Sequence, residues 1–202
     1  MNKILSFSKA LFVITIGFMI TIAGCKKSND TNNGSGSGDD YYLKFKADGT
    51  QKEFKSQALI TLLAKKDGLY SAVLQGYKDF EGQGTKDELG MIVMTNDEIV
   101  QGNTFQDPQK ATDKDGMPIP KLIMNFNDPS SNGYLSMGTL SDENGTVVLF
   151  PDVVADAKLT ISELTSGYAK GTFSGTVYLS TDANLKTKVK ITEGEFYLKR
   201  LQ

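Results

Sequence analysis

The chain has 202 residues, with 22 Lys and Arg against 24 Asp and Glu, a formal net charge of −2, one cysteine, no histidine and no tryptophan. Without histidine and with a lone cysteine it lacks the side chains for Ser-His or Cys-His nucleophile pairs and for His/Cys zinc sites. Arg200 is the only arginine and no window concentrates Lys and Arg, so the basic patches and guanidinium forks of nucleic-acid binding are missing and no nucleic-acid partner is expected.

The first 24 residues carry Lys3 and Lys9, an apolar stretch over 10–23, and the small pair Ala23-Gly24 before Cys25. This is the layout of a secretory signal, and the apolar run is shorter than the ~20 residues of a membrane-spanning helix. Ile22-Ala23-Gly24-Cys25 resembles the lipobox at which bacterial lipoprotein signal peptides are cut. The resemblance implies cleavage before Cys25 and lipid on its thiol and new amino group, so the partner expected first is a membrane, reached through Cys25. Cys25 cannot form a disulfide within the chain, and lipidation gives an otherwise exposed thiol a use. Each buried methylene contributes about 0.8 kcal/mol, and two or more acyl chains make a stable anchor where one does not. Cleavage takes away two lysines and no acid, shifting the formal net charge to −4.

Residues 26–40 are Lys, Ser, Asn, Asp, Thr and Gly, with no apolar side chain to bury. As a flexible coil this tether spans roughly 5–6 Å × √15, about 20–25 Å. Lys26 stands where enterobacterial lipoproteins retained at the inner membrane carry aspartate, so the resemblance implies the outer membrane, with the periplasmic or exterior face left open. Three segments are therefore expected: a signal peptide over 1–24, a lipidated Cys25 and linker over 25–40, and one domain over 41–202.

That domain reads as all-β, an antiparallel β-sandwich of roughly 8–10 strands. Short apolar and β-branched runs recur between Gly, Asn, Asp and Pro, predicting strands over 41–46, 53–64, 70–77, 89–95, 121–127, 134–140, 146–150, 158–164, 169–179 and 188–199. Ala47-Asp48-Gly49, Lys66-Asp67-Gly68 and Glu143-Asn144-Gly145 are hairpin turns in which Gly supplies a positive φ. Between Gly171 and Leu179, the alternation assigns Phe173, Gly175, Val177 and Leu179 to a core face. It assigns Thr172, Ser174, Thr176 and Tyr178 to water. Gly194 marks a bulge or bend in the last strand.

Gly171-Thr172-Phe173-Ser174-Gly175-Thr176 with Val189-Lys190-Ile191-Thr192-Glu193-Gly194-Glu195-Phe196 resembles the C-terminal strand pair of a family of uncharacterised Bacteroidetes lipoproteins. The opening Leu43-Lys44-Phe45-Lys46-Ala47-Asp48-Gly49 and the segment Lys158-Leu159-Thr160-Ile161-Ser162-Glu163-Leu164 are similar to that family too. The resemblance implies the same lipobox, tether and β-rich domain, and it brings no activity or catalytic residues.

The chemistry left to the chain is that of carboxylates. Glu193 and Glu195 lie two apart and share a face on a regular strand, the minimum for a glycosidase pair, but acids beside a bend are ordinarily solvated. Asp113-Lys114-Asp115-Gly116 matches part of an EF-hand loop, yet Ala111 and Leu122 stand at its first and twelfth positions, so a turn is the better reading and no metal or other cofactor is expected. The only Ser-x-x-Lys, Ser6 to Lys9, lies in the signal. Two long segments are the candidate binding loops: 76–88, where Tyr77 and Phe80 either face a ligand or pin the loop, and 102–120, where Pro108, Pro118 and Pro120 stiffen the backbone and Phe105 or Met117 reaches a partner. The expected function is thus a non-enzymatic, lipid-anchored envelope module binding a protein, glycan or envelope component. The alternatives are a carboxylate-dependent glycoside hydrolase or calcium-dependent enzyme, and a structural subunit of an envelope complex.

Overall fold

A computed structural model describes residues 41–55, 58–81, 84–136 and 153–201. Cys25 with the rest of 1–40, the strand expected over 146–150, its hairpin at Glu143-Asn144-Gly145 and the end of the strand expected over 134–140 lie outside the described residues.

The described residues form thirteen strands and no helix: β1 (Tyr42–Ala47), β2 (Thr50–Lys55), β3 (Leu59–Lys66), β4 (Leu69–Glu81), β5 (Gly84–Thr95), β6 (Thr104–Gln106), β7 (Lys110–Thr112), β8 (Pro118–Pro120), β9 (Leu122–Asn127), β10 (Gly133–Ser136), β11 (Lys158–Leu164), β12 (Tyr168–Leu179) and β13 (Lys188–Leu201). The all-β, mostly antiparallel, sandwich-like architecture expected from the sequence is present. Its strands exceed the roughly 8–10 anticipated, because one run is split and a proline-rich loop contains three short strands.

The long β12–β13 ribbon organises the fold. On one side, Ile191 to Tyr197 of β13 pairs with β1, which pairs with β2; on the other, Ala169 to Ser174 of β12 pairs with β11, which pairs with β6. This gives one six-stranded layer, β2-β1-β13-β12-β11-β6. The remaining strands form β3-β4-β5-β9-β10, attached to the ribbon at opposite ends: β3 runs parallel to β13 at Lys199 to Leu201, and β10 pairs with β12 at Val177 to Leu179. Two layers joined at opposite corners enclose one core, as where strands switch sheets in a sandwich.

Phe45 of β1 sits at the centre of that core. Its ring lies 5.8 Å from Phe54, 5.9 Å from Phe126 of the facing layer and 6.0 Å from Phe173, all of them buried. These tilted and edge-on contacts suit the ring quadrupole and add to the burial of apolar area.

The Asp48-Gly49 and Asp67-Gly68 turns have positive φ at both central residues, 46° and 81°, and 52° and 86°. That is the backbone of tight hairpins matched to strand twist. The single strand expected over 53–64 is instead β2 and β3, which belong to different layers; the chain changes sheet between them. In β12 the alternation holds through Ser174, but Thr176 and Tyr178, expected in water, are buried, while Leu179 is half-buried. The cause is the segment 153–157 laid over this end of the strand. Asp156 accepts from the Thr176 backbone N–H (2.6 Å) and hydroxyl (3.1 Å), and the Tyr178 hydroxyl accepts from the Val154 N–H at 2.8 Å.

Candidate functional site

The two segments read as binding loops contain strands: β4 and β5 run into the first, and three short strands, β6, β7 and β8, lie in the second with turns between them. β4 and β5 continue as a paired ladder through Tyr77↔Glu88 and Phe80↔Thr85 to Glu81↔Gly84, so 76–88 is a hairpin extension. Its polar side chains imitate a loop in the sequence, but backbone pairing requires no apolar face. Tyr77 is half-buried on β4; the Phe80 side chain lies outside the described residues. In the second segment, β6 adds to the edge of the six-stranded layer and places Phe105 in the core at 4 % exposure, which removes it from partner contact. β7 and β8 form a small hairpin, and Met117, 58 % exposed at its turn, stands open to solvent. Asp113 accepts from the backbone N–H groups of Asp115 (2.9 Å) and Met117 (2.8 Å), the work of a turn residue.

What the fold does assemble is the outer face of the six-stranded layer. Alternation aims Leu43, Phe45 and Ala47 of β1 inward and Tyr42, Lys44 and Lys46 outward, and the registers align these with outward residues of the neighbouring strands. One row across the sheet reads Lys55, Tyr42, Tyr197, Lys170 and Glu163. The next reads Glu53, Lys44, Glu195, Thr172, Thr160 and Thr104. The outer face of the five-stranded layer differs, carrying Val73, Ile92 and Ile123 in one half-buried row.

At one end of the polar face four tyrosines converge. Tyr197 lies 4.9 Å from Tyr41, 6.3 Å from Tyr42 and 5.2 Å from Tyr168, the last edge-on at 89°. The Lys170 ammonium stands over both the Tyr168 and Tyr197 rings, at 5.3 and 5.1 Å, and Lys44 stands 5.1 Å from the Tyr42 centroid. Glu163 accepts from the Tyr168 hydroxyl at 3.0 Å and from Lys170 at 3.3 Å. The Lys170 bond, followed by that from Tyr168, holds the Glu163 carboxyl below its ordinary range, and the same Glu163 bond raises Lys170.

Beside the tyrosines lies a shallow open depression of 460 Å³ lined by Lys158, Thr160, Thr172, Phe173, Ser174, Glu193, Gly194 and Glu195. It lies where β13 bulges. Lys44 pairs with Glu195 while Lys46 pairs with Thr192, so β13 carries an extra residue, and Glu193 takes a left-handed φ of 51°. The bend expected at Gly194 is present, with Glu193 in the unusual backbone and Gly194 admitting the close approach of the Phe173 carbonyl, which a Cβ would strike. Glu193 and Glu195, the carboxylates singled out in the sequence, thus share one depression, and each is held by a lysine of β1: Lys46 at 2.8 Å and Lys44 at 2.9 Å. Thr104 and Thr160 bond hydroxyl to hydroxyl at 3.0 Å. Among the described residues Lys158 has no ion-pair partner, and no group of three or more His, Cys, Asp or Glu is placed to hold a metal ion.

No family model, curated protein or solved structure matches this chain. The site stands on its geometry.

The tyrosine cluster and Lys158 escaped the sequence reading. Each strand's alternation already puts Tyr42, Lys170 and Tyr197 on a polar face, but only the long-range registers show that the faces coincide.

Proposed function

We propose that this chain is a lipid-anchored protein of the bacterial outer membrane, of the Bacteroidetes lipoprotein kind, and acts as a non-enzymatic binding module through the outer face of its six-stranded layer. The observation that carries the binding role is the run of tyrosines, hydroxyls and charges over adjoining rows of one sheet face, with a depression among them and hydrophobic side chains turned to the core. The four tyrosines are half-buried, and a tyrosine that pairs an apolar ring with a polar tip suits a recognition surface. Ala23-Gly24-Cys25 and the polar 26–40 support the anchor. A photo-crosslinking residue at Thr172, in the full chain in intact cells, is expected to capture envelope material that one at Ala183, in the loop after β12, does not. Equal capture at both places, or none at Thr172, overturns the assignment of this face.

A second reading has one observation in its favour: Glu193 and Glu195 border the same depression, as a carboxylate-dependent glycoside hydrolase requires. That reading expects turnover of an envelope glycan that disappears in Glu195→Gln with the fold intact. A binding module expects no turnover in either protein.

A further inference from the structure

We infer that the ligand of this face is an acidic oligosaccharide, a glycan bearing carboxylates of the uronic-acid type; this rests on the binding role proposed above. Three features select the class.

The depression has the size of a small-molecule cleft, yet such clefts are usually walled by apolar side chains. Here Thr160, Thr172 and Ser174 are hydroxyl-bearing residues of the lining, and its one large apolar residue, Phe173, has its ring buried in the core. Hydroxyls that both donate and accept match a polyhydroxylated ligand.

The charge is asymmetric. Glu193 and Glu195 are neutralised from the β1 side by Lys46 and Lys44, which leaves Lys158, on the opposite wall, without an ion-pair partner among the described residues. The ammonium groups of Lys44 and Lys170 stand over the tyrosine rings and close them to a cationic ligand, but each is itself paired, with Glu195 and Glu163, so the free positive charge is that of Lys158. A positive spot on a chain of net negative charge points to an anion, and Lys158 is the group placed to meet a carboxylate.

The face is also long. From Lys170, in the Tyr197 row, to Ser174, opposite Lys158, is four residues of β12, about 13 Å at roughly 3.3 Å per residue. That exceeds one sugar ring, so the occupant is an oligomer, one carboxylate at Lys158 and a further unit against the edge of Tyr197 and Tyr168.

The test is calorimetric titration of tetragalacturonate into the full-length chain in detergent, with maltotetraose as the neutral comparison. The expected result is that tetragalacturonate binds at least ten-fold more tightly than maltotetraose, that Lys158→Ala and Lys158→Glu each weaken it at least ten-fold, and that Lys158→Arg largely retains it. Lys186→Ala, in the loop after β12, leaves it unchanged. Equal affinity for the two tetrasaccharides with no effect of Lys158→Ala overturns the acidic class. Binding of neither overturns the glycan, while capture at Thr172 in cells shows separately whether the face still has a ligand. Tight tetragalacturonate binding indifferent to both Lys158→Glu and Tyr197→Ala puts the ligand elsewhere and overturns the inference together with the reading beneath it.

Discussion

Single side chains set the loops and the acid sensitivity of this domain. Asp182 accepts from the backbone N–H groups of Asn184 (3.0 Å), Lys186 (3.1 Å) and Thr187 (2.8 Å), organising the connection between β12 and β13. The Thr187 bond, with that of Asn184, holds its carboxyl below the ordinary aspartate range. A carboxyl depressed by folding adds stability above its unfolded pKa, near 3.8, and loses it as pH falls through the folded value. Glu88 has the opposite sign: burial raises it, partly offset by the bond from Asn127, so its ionisation opposes folding at neutral pH. Asp182→Ala is therefore expected to lower the melting temperature at pH 7, with the gap to the parent chain closing as pH drops from 5 to 3. Melting curves across that range check it, and a gap that does not change with pH refutes the linkage. Asp182 followed by Asn184 is recognisable in the sequence as turn chemistry. That three backbone groups converge on one carboxylate is a property of the loop path, which no local propensity specifies.

At the level of elements, the split between β2 and β3 shows where alternation runs out. Residues 53–64 look like one strand because apolar residues, Phe54, Ala58, Ile60 and Leu62, recur at even spacing across both halves, yet β2 flanks β1 in one layer and β3 flanks β4 in the other. A change of sheet leaves no mark in a local pattern. What secures β2 to the facing layer includes an ion pair between Lys52 and Asp87 of β5, 2.7 Å apart with side chains only 17 % and 12 % exposed. Pairs so placed depend on both members, since losing one strands a largely desolvated charge. Lys52→Ala is expected to cost about 2–3 kcal/mol in chemical denaturation, below the full-burial figure because some water reaches the pair. A loss under about 0.5 kcal/mol would class it with surface pairs. The β12–β13 ribbon was more legible: its alternation reads correctly through Ser174 and the bend at Gly194 is present, whereas the overlying 153–157 segment buries Thr176 and Tyr178, which the pattern assigned to water. Its outward residues were legible one strand at a time, and their meeting in a single face was not.

Across the whole molecule, the anchor and the face make complementary demands. The proposed lipid at Cys25, with a tether expected to span ~20–25 Å, would hold the domain near a membrane while the proposed face stays free to meet a ligand. The lone cysteine makes the anchor testable: Cys25→Ala is expected to abolish incorporation of radiolabelled palmitate and leave the precursor unprocessed, whereas normal cleavage and release of that variant would refute lipidation. The more direct test of the face is lysine reactivity in intact cells with a membrane-permeant acetylating reagent, compared with the full-length chain purified in detergent. A ligand on the six-stranded face predicts Lys158 protected several-fold in cells while Lys186 reacts alike in both settings; equal labelling of Lys158 in cells and in detergent would contradict it.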